Sequence, residues 1–430
     1  MNPFKDSIPV GVESRMSAIG VLSRWLRTGD FPDRLISDKA RDRGFVMDLV
    51  FGAVRHRRTL EWALAKFLRR EPAFELRATL LAGAQQLLFM DDVADYAAIH
   101  ETVEAAKRGQ SRQPAFVNAV LRNLLRHRDQ LQADLTLQPL GIRTSHPDVL
   151  VNRWTKEFGA EEAERLCKLD NQAAETIIVA LPYTNEKRAA ELLAHWTADG
   201  VTARLHPSER AAIILGHGTR VEDLWGFKEG LFVVQDTATL SAIRLLAPAA
   251  GLSALDACAA PGGKTLQIVS SLGKDDSMTA MDLHEDRLAR LHENLERCGY
   301  DRRVKIVAGD ATSPKTAAAI MRAGRPDVLL LDAPCSNTGV LRRRVDARWR
   351  FDEKRQAELQ ETQLAMLENL SSVVTARIVY STCSLEPEED EEVVSKFLFR
   401  HPEFRLGDSV KVMPDDSPRD GAFAASLERV

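Results

Sequence analysis

The chain has 430 residues, 44% of them apolar and 28% charged, with a formal net charge of −4. This is the balance of a folded protein with room for about two or three domains, and it excludes collagen-like, coiled-coil and disordered classes. No run approaches the ~20 apolar residues of a membrane span, and the charged opening MNPFKDSIPVGVESR lacks the apolar centre of a secretion signal, so a cytoplasmic protein with no membrane partner is expected.

The charge is unevenly spread: residues 1–150 hold 22 Lys and Arg against 18 Asp and Glu, leaving 36 against 44 for the remainder. From Met16 to about His127 apolar residues recur at three- and four-residue spacing, predicting helices over Ala18–Arg27, Arg41–Phe67, Leu76–Phe89, Ala97–Lys107 and Ala115–His127. Arginines and lysines cluster between them (Arg55, Arg57, Arg58; Lys107, Arg108, Arg112; Arg122, Arg126, Arg128). They read either as solvated helix faces paired with acids or as contacts for nucleic-acid phosphate.

A glutamine-rich, non-periodic stretch, 130–145, reads as a linker ending at His146-Pro147-Asp148, which places a domain boundary near residue 140. Helices are expected at Asp148–Phe158, Ala160–Leu169 and Glu186–Asp199, a strand at Thr176–Leu181, and apolar runs at Ala212–Leu215 and Leu231–Val234. Together they form a small α+β module over 141–235. A helix at Thr237–Leu246 leads into the last part, 236–430.

From Leu252 strands and helices alternate, the pattern of a parallel sheet. The stretch LSALDACAAPGGKT runs strand, glycine loop and helix start, and such a loop lets backbone N–H groups approach a ligand. Strand Met278–Leu283 carries Asp282, placed to accept from ribose hydroxyls. Strand Val304–Ala308 ends in Gly309-Asp310, Asp327–Leu331 runs into Asp332-Ala333-Pro334-Cys335, and Arg377–Ser381 into Thr382-Cys383-Ser384. All of these polar groups fall at carboxyl ends of strands, the edge where open α/β sheets bind ligands.

The five cysteines, Cys167, Cys258, Cys298, Cys335 and Cys383, include no CxxC pair, which argues against a disulfide scaffold and a metal site. Cys167 and Cys298 sit within expected helices and read as core residues. Cys258 reads as a shaper of the glycine loop. Cys335 and Cys383 lie just past strand ends on the ligand edge.

LDACAAPGGKT, LLLDAPCSNTGVLRR and IVYSTCSLEPEEDEEVV, in this order, resemble signature motifs of the Sun/Fmu family of S-adenosylmethionine-dependent RNA (cytosine carbon-5) methyltransferases. AAIHETVEAAKRGQSRQPAFVNAVLRNLLR and SHPDVLVNRW resemble the NusB-like front and connector of the bacterial member acting on small-subunit ribosomal RNA, and DGAFAASL is similar to the family's closing strand. The resemblance implies an all-α NusB-like RNA-binding domain (1–140), a small RNA-recognition-like α+β module (141–235) and a class I, Rossmann-like α/β methyltransferase core (236–430). It also implies a monomer whose partner is RNA, small-subunit ribosomal RNA foremost.

By the same resemblance Cys258, Ala259, Ala260, Pro261, Gly262, Gly263 and Lys264 hold the methionine end of S-adenosylmethionine. Asp282 holds its ribose, Asp310 lies near its adenine, and Asp332 stands between cofactor and target base. Cytosine carbon 5 is a poor nucleophile until a thiolate adds at carbon 6, and the family resemblance gives that role to Cys383 and assistance in release to Cys335. Arg342, Arg343 and Arg344 read as a phosphate grip beside the base pocket, where RRRVDARW departs from the family's usual basic pair and His-Pro-Asp. The acidic run Glu386–Glu392 reads as the first turn of a helix. The alternatives are a transfer-RNA methyltransferase, a non-catalytic RNA-binding assembly factor with a decayed core, and a nicotinamide enzyme, which the lack of GxGxxG spacing disfavours.

Overall fold

The computed structural model describes residues 8–109 and 113–430, so Arg112 of the second basic cluster lies outside the described residues. The chain divides into two compact units: one holds the chain through Gln172 together with Arg344–Arg350, the other Ala173–Arg343 and Phe351–Val430. Among the described residues no helix is long and apolar enough to cross a membrane.

The first unit is all helical. Helices Val10–Thr28, Arg43–Arg55, Arg57–Ala65, Phe74–Phe89, Asp95–Arg108 and Pro114–Arg126 turn their apolar faces onto one core, in which Leu22, Leu49, Leu60, Leu81 and Leu121 are fully buried. Each such side chain contributes on the order of 1.5–3 kcal/mol. The helix expected over Arg41–Phe67 is broken at His56, whose ring stacks on Phe89 and bonds Gln85 at 3.1 Å. A tertiary contact thus overrides the continuous periodicity.

The stretch 130–145, expected as a linker, is mostly helical, in Arg128–Thr136 and Leu140–Arg143. The compact unit also runs past the boundary expected near 140. Polar side chains do this work: Thr59 Oγ1 donates to Ile142 O at 2.6 Å, and the Arg58 guanidinium meets both carboxylate oxygens of Asp148 at 2.7 Å. Buried Arg348 donates to Asp170 O at 3.0 Å and Asn171 Oδ1 at 2.8 Å, and Trp349 Nε1 to Val54 O at 2.8 Å. Much of the basic surface is thereby used internally. Arg57 pairs with Glu61 and lies over Trp25 and Trp349, and Arg128 pairs with Asp95. Arg122 and Arg126 stay exposed and donate to Asn118 and Asn123 of their own helix.

Burial pulls the His56 imidazole down to about 3 and that of His146 to about 4. Both folded-state values lie below the unfolded one near 6.5, so these rings contribute stability that is present above pH ~6.5 and lost as pH falls toward their folded values. At pH 5.5 the unfolded chain binds about two protons here that the folded unit does not, a slope of roughly 2–3 kcal/mol per pH unit. Denaturant titrations of the full chain between pH 6.5 and 5 measure that slope. A flat profile would show that both rings accept protons in the fold.

The second unit contains two sheets. In the smaller, β1 (Thr176–Ala180), β2 (Ala203–Leu205), β3 (Ala212–Leu215) and β4 (Phe232–Val234) run antiparallel in the order β2-β3-β1-β4, with the helix Glu186–Ala198 packed against them through Leu192 and Trp196. The larger contains β5 (Ala254–Asp256), β6 (Met278–Asp282), β7 (Val304–Ala308), β8 (Val328–Asp332), β9 (Arg377–Thr382), β10 (Phe404–Val412) and β11 (Ala422–Arg429), ordered β10-β11-β9-β8-β5-β6-β7. β5 to β9 are parallel, as expected, but β10 and β11 add antiparallel, so the sheet is mixed. The chain moves from β5 outward to β7 and then returns to β8 on the other side of β5. That reversal opens a crevice between the carboxyl ends of β5 and β8, where Asp256 and Asp332 stand.

Candidate active site

β5 ends in Asp256, and the chain turns through Ala257–Gly262 before the helix Gly263–Ser271 begins. Gly262 holds φ +111°, a conformation other residues avoid, and a Cβ there would lie 2.7 Å from Leu291. The loop is laced from behind: Ala259 N donates to Met281 O at 2.9 Å, Ala260 N to Asp282 Oδ2 at 3.2 Å, and Asn294 Nδ2 to Pro261 O at 3.0 Å.

A cavity of about 430 Å³ opens on this loop, lined by Cys258, Ala259, Ala260, Pro261, Gly263, Lys264, Asp256 and Asp332, and also by Gln235 and Asp236. Six of the seven loop residues expected there do line it; Gly262 does not. Asp282 and Asp310 occupy the same sheet edge but stay outside the cavity. Asp282 is buried, accepting from the Ala260 loop and from His284 N, and Asp310 accepts from Thr312. Asp282 therefore braces the loop, which the sequence alone did not indicate.

Asp256, not singled out beforehand, is the best evidence that a ligand belongs here. Its Oδ2 accepts from Thr265 Oγ1 at 2.7 Å, while Oδ1 is buried with no hydrogen-bond partner among the described residues. Burial pushes its carboxyl up to about 7. An acid closing the strand before a glycine loop was the available signal. The unsatisfied oxygen, the loop and the cavity fit the amino-acid end of S-adenosylmethionine.

On the other side of the crevice Lys264 Nζ meets Asp332 Oδ2 at 2.7 Å, and Ser381 Oγ donates to Asp332 Oδ1 at 2.8 Å. Burial is the largest single influence on the Lys264 ammonium and lowers its pKa, but the charge and hydrogen bond of Asp332, together with Cys383 and Asp256, outweigh it and raise the pKa. The register β8–β9 pairs Asp332 with Ser381, so the loops that follow lie side by side. Cys335 and Cys383 thus face each other with sulfurs 3.1 Å apart, and Cys383 Sγ also donates to Asn337 Oδ1 at 3.3 Å. The Cys335 thiol is pushed up, first by its hydrogen bond with Cys383 and then by burial, so it remains an S–H donor against its neighbour's sulfur. Gly339 packs so closely that a Cβ would lie 2.9 Å from the carbonyl oxygens of Cys383 and Gly421.

Two expectations fail here. Arg342 is buried against Asp420, and Arg343 bonds Asp420 Oδ2 at 2.5 Å and Asp236 Oδ2 at 2.9 Å, so neither is a phosphate grip; Arg344, near Asp33, is half-exposed. The acidic run is a helix turn only in its last two residues, Glu391 and Glu392. The helix starts at Glu391, and Glu386, Glu389 and Asp390 are buried ahead of it because their groups are engaged in the fold. Cys167 is buried and Cys298 half-buried, and burial raises both thiols.

Residues 243–428 match the family model described as 16S rRNA methyltransferase RsmB/F, and residues 13–126 match the NusB family. The "Probable ribosomal RNA small subunit methyltransferase B" of Bacillus subtilis (strain 168) is 30% identical over 418 residues, covering 90% of this chain and 91% of the relative. The ribosomal RNA small subunit methyltransferase B of Cronobacter sakazakii is 32% identical over 412 residues, covering 91% of each. Among solved structures, PH0851 covers 99% of this chain and all of its own at 23% identity and a TM-score of 0.76. NSun6 from Pyrococcus horikoshii, crystallised with SFG, covers 66% of this chain and 98% of its own at 20% identity and a TM-score of 0.57. Both show the fold. With near-full coverage by named relatives, two matching family models and a crevice that fits S-adenosylmethionine, the cofactor of this fold, the chain belongs to the RsmB/F family of 16S rRNA methyltransferases, with a NusB-family domain at its front.

Proposed function

We propose that this protein transfers a methyl group from S-adenosylmethionine to carbon 5 of a cytosine in small-subunit ribosomal RNA, through a covalent Cys383 adduct. The observation that carries the reading is the pair of thiols 3.1 Å apart, next to the Lys264–Asp332 ion pair at one sheet edge. Residues 236–430 carry the chemistry. The helical front, 1–140, with exposed Arg122 and Arg126, and the module 141–235 hold RNA, and the protein works as a cytoplasmic monomer.

In this reading Asp256, Lys264 and the 258–263 loop hold the methionine end of the cofactor, Asp282 its ribose side and Asp310 its adenine side. When bound, the cofactor supplies an electrophilic methyl group. Cys383 adds as thiolate to carbon 6 of the flipped base, and carbon 5 becomes enamine-like. Asp332 hydrogen-bonds the amino and ring-nitrogen edge of the cytosine as charge moves into the ring. After methylation a base takes the carbon-5 proton, the electron pair of that bond restores the carbon 5–carbon 6 double bond, and Cys383 leaves carbon 6 as thiolate, a release that Cys335 assists.

Labelled S-adenosylmethionine offered with unmodified small-subunit ribosomal RNA tests this. Label is expected in that RNA, at carbon 5 of cytosine after digestion to nucleosides. Label appearing only in transfer RNA overturns the substrate, and label on any other atom overturns the chemistry.

A further inference from the structure

We propose that the buried pair Glu389–Asp390 is a positioning clamp that sets the spacing of the Cys335 and Cys383 thiols. The inference deepens the two-cysteine reading and rests on it for the catalytic consequence, though not for the geometry.

Both residues are fully buried in the turn between β9 and the helix Glu391–Arg400. Glu389 Oε2 accepts from Ser336 N at 2.8 Å and from Gln363 Nε2 at 3.2 Å. The same Gln363 amide donates to Pro334 O at 2.9 Å. One carboxyl and one amide therefore grip the residues on either side of Cys335. Asp390 Oδ1 accepts from Thr382 Oγ1 at 2.6 Å, and Thr382 Oγ1 in turn accepts from Ser384 N at 3.1 Å, which fixes the residues on either side of Cys383. Tyr380 OH donates to Glu389 O at 2.6 Å and ties the turn to β9. Two cysteine segments that are remote in sequence are thus fastened to one dipeptide.

Burying two carboxyls in a turn is costly when a neutral sequence would also connect strand to helix. What the acids add is a strong acceptor at a fixed place for each cysteine segment. Burial raises both carboxyls, and the hydrogen bonds they accept from Ser336 and Gln363 in one case and from Thr382 in the other oppose that rise. Thiol spacing matters because a misplacement of about 1 Å can cost roughly 100-fold in rate.

The test uses the full chain and dibromobimane, which fluoresces when it bridges two neighbouring thiols, with peptide mapping to locate the Cys335–Cys383 bridge. Glu389→Gln and Asp390→Asn keep an acceptor oxygen and should bridge at the parental rate. Glu389→Ala and Asp390→Ala should bridge at least ~10-fold more slowly, as expected of displaced reacting groups. On RNA, Glu389→Ala should accumulate a denaturant-stable adduct, as a Cys335 defect would, whereas Asp390→Ala should form less adduct, as a Cys383 defect would. Should the alanine variants not fold, Gln363→Leu and Thr382→Val cut the same links from the donor side. Parental bridging in either folded set overturns the clamp. Slowed bridging with no such effect on adducts leaves the clamp standing and overturns the two-cysteine chemistry.

Discussion

Replacing Cys383 by alanine should abolish methyl transfer, a loss of at least ~10⁴-fold, because without the thiolate carbon 5 stays part of an aromatic ring and no other group at the sheet edge replaces it. Replacing Cys335 by alanine should fail differently. That variant still adds Cys383 to the base and methylates it, but it releases product slowly, so an RNA–protein band resistant to denaturant should build up. RNA carrying 5-fluorocytosine gives the control: fluorine cannot leave as the proton does, so the parent too is trapped, and Cys383→Ala is not. The structure makes the two cysteines unequal. Cys335 is held as a thiol by its hydrogen bond to Cys383 and by burial, while Cys383 has a second partner in Asn337 Oδ1. A Cys383→Ala variant that turns over, or an adduct that forms on Cys335 instead, reverses the assignment.

The sheet edge was legible because its signals are local. A glycine loop after a strand, acids at strand ends and cysteines just past them are each written in a few consecutive residues, and the parallel order brings them to one side. Partners far apart in the chain were not legible. Glu389 and Asp390 look like the charged first turn of a helix, and only their bonds to Ser336 and Thr382 reveal buried acceptors. Arg342 and Arg343 look like a phosphate grip until Asp420, 77 residues from Arg343, takes their charge. The long strand β10 escaped notice because half its residues face solvent, and its pairing depends on β11 rather than on its own alternation. The helical content of 130–145 was hidden for a similar reason: Ile142 and Ser145 are fixed by Thr59 and Arg58, far upstream.

The second large effect is expected at Asp332. Its two carboxylate oxygens are taken by Lys264 and Ser381, which orient the group toward the crevice. Asp332→Asn keeps the size and an acceptor for Ser381 but removes the charge that pairs with Lys264. Turnover should drop by roughly 10²–10³-fold, the usual loss when one preorganised electrostatic partner is removed from a developing charge. The drop should fall on adduct formation, because ring nitrogen 3 takes up a proton as sulfur adds at carbon 6, and a carboxylate accepts more strongly from that N–H and the amino group than an amide does. Lys264→Met removes the other half of the pair. If the two residues act as one unit, the double variant should be little worse than either single one, whereas independent roles would multiply. Single-turnover adduct formation on 5-fluorocytosine RNA, measured across this four-membered set, separates the outcomes. Full adduct formation in Asp332→Asn would make the ion pair a brace for the glycine loop and leave recognition of the base edge to another group.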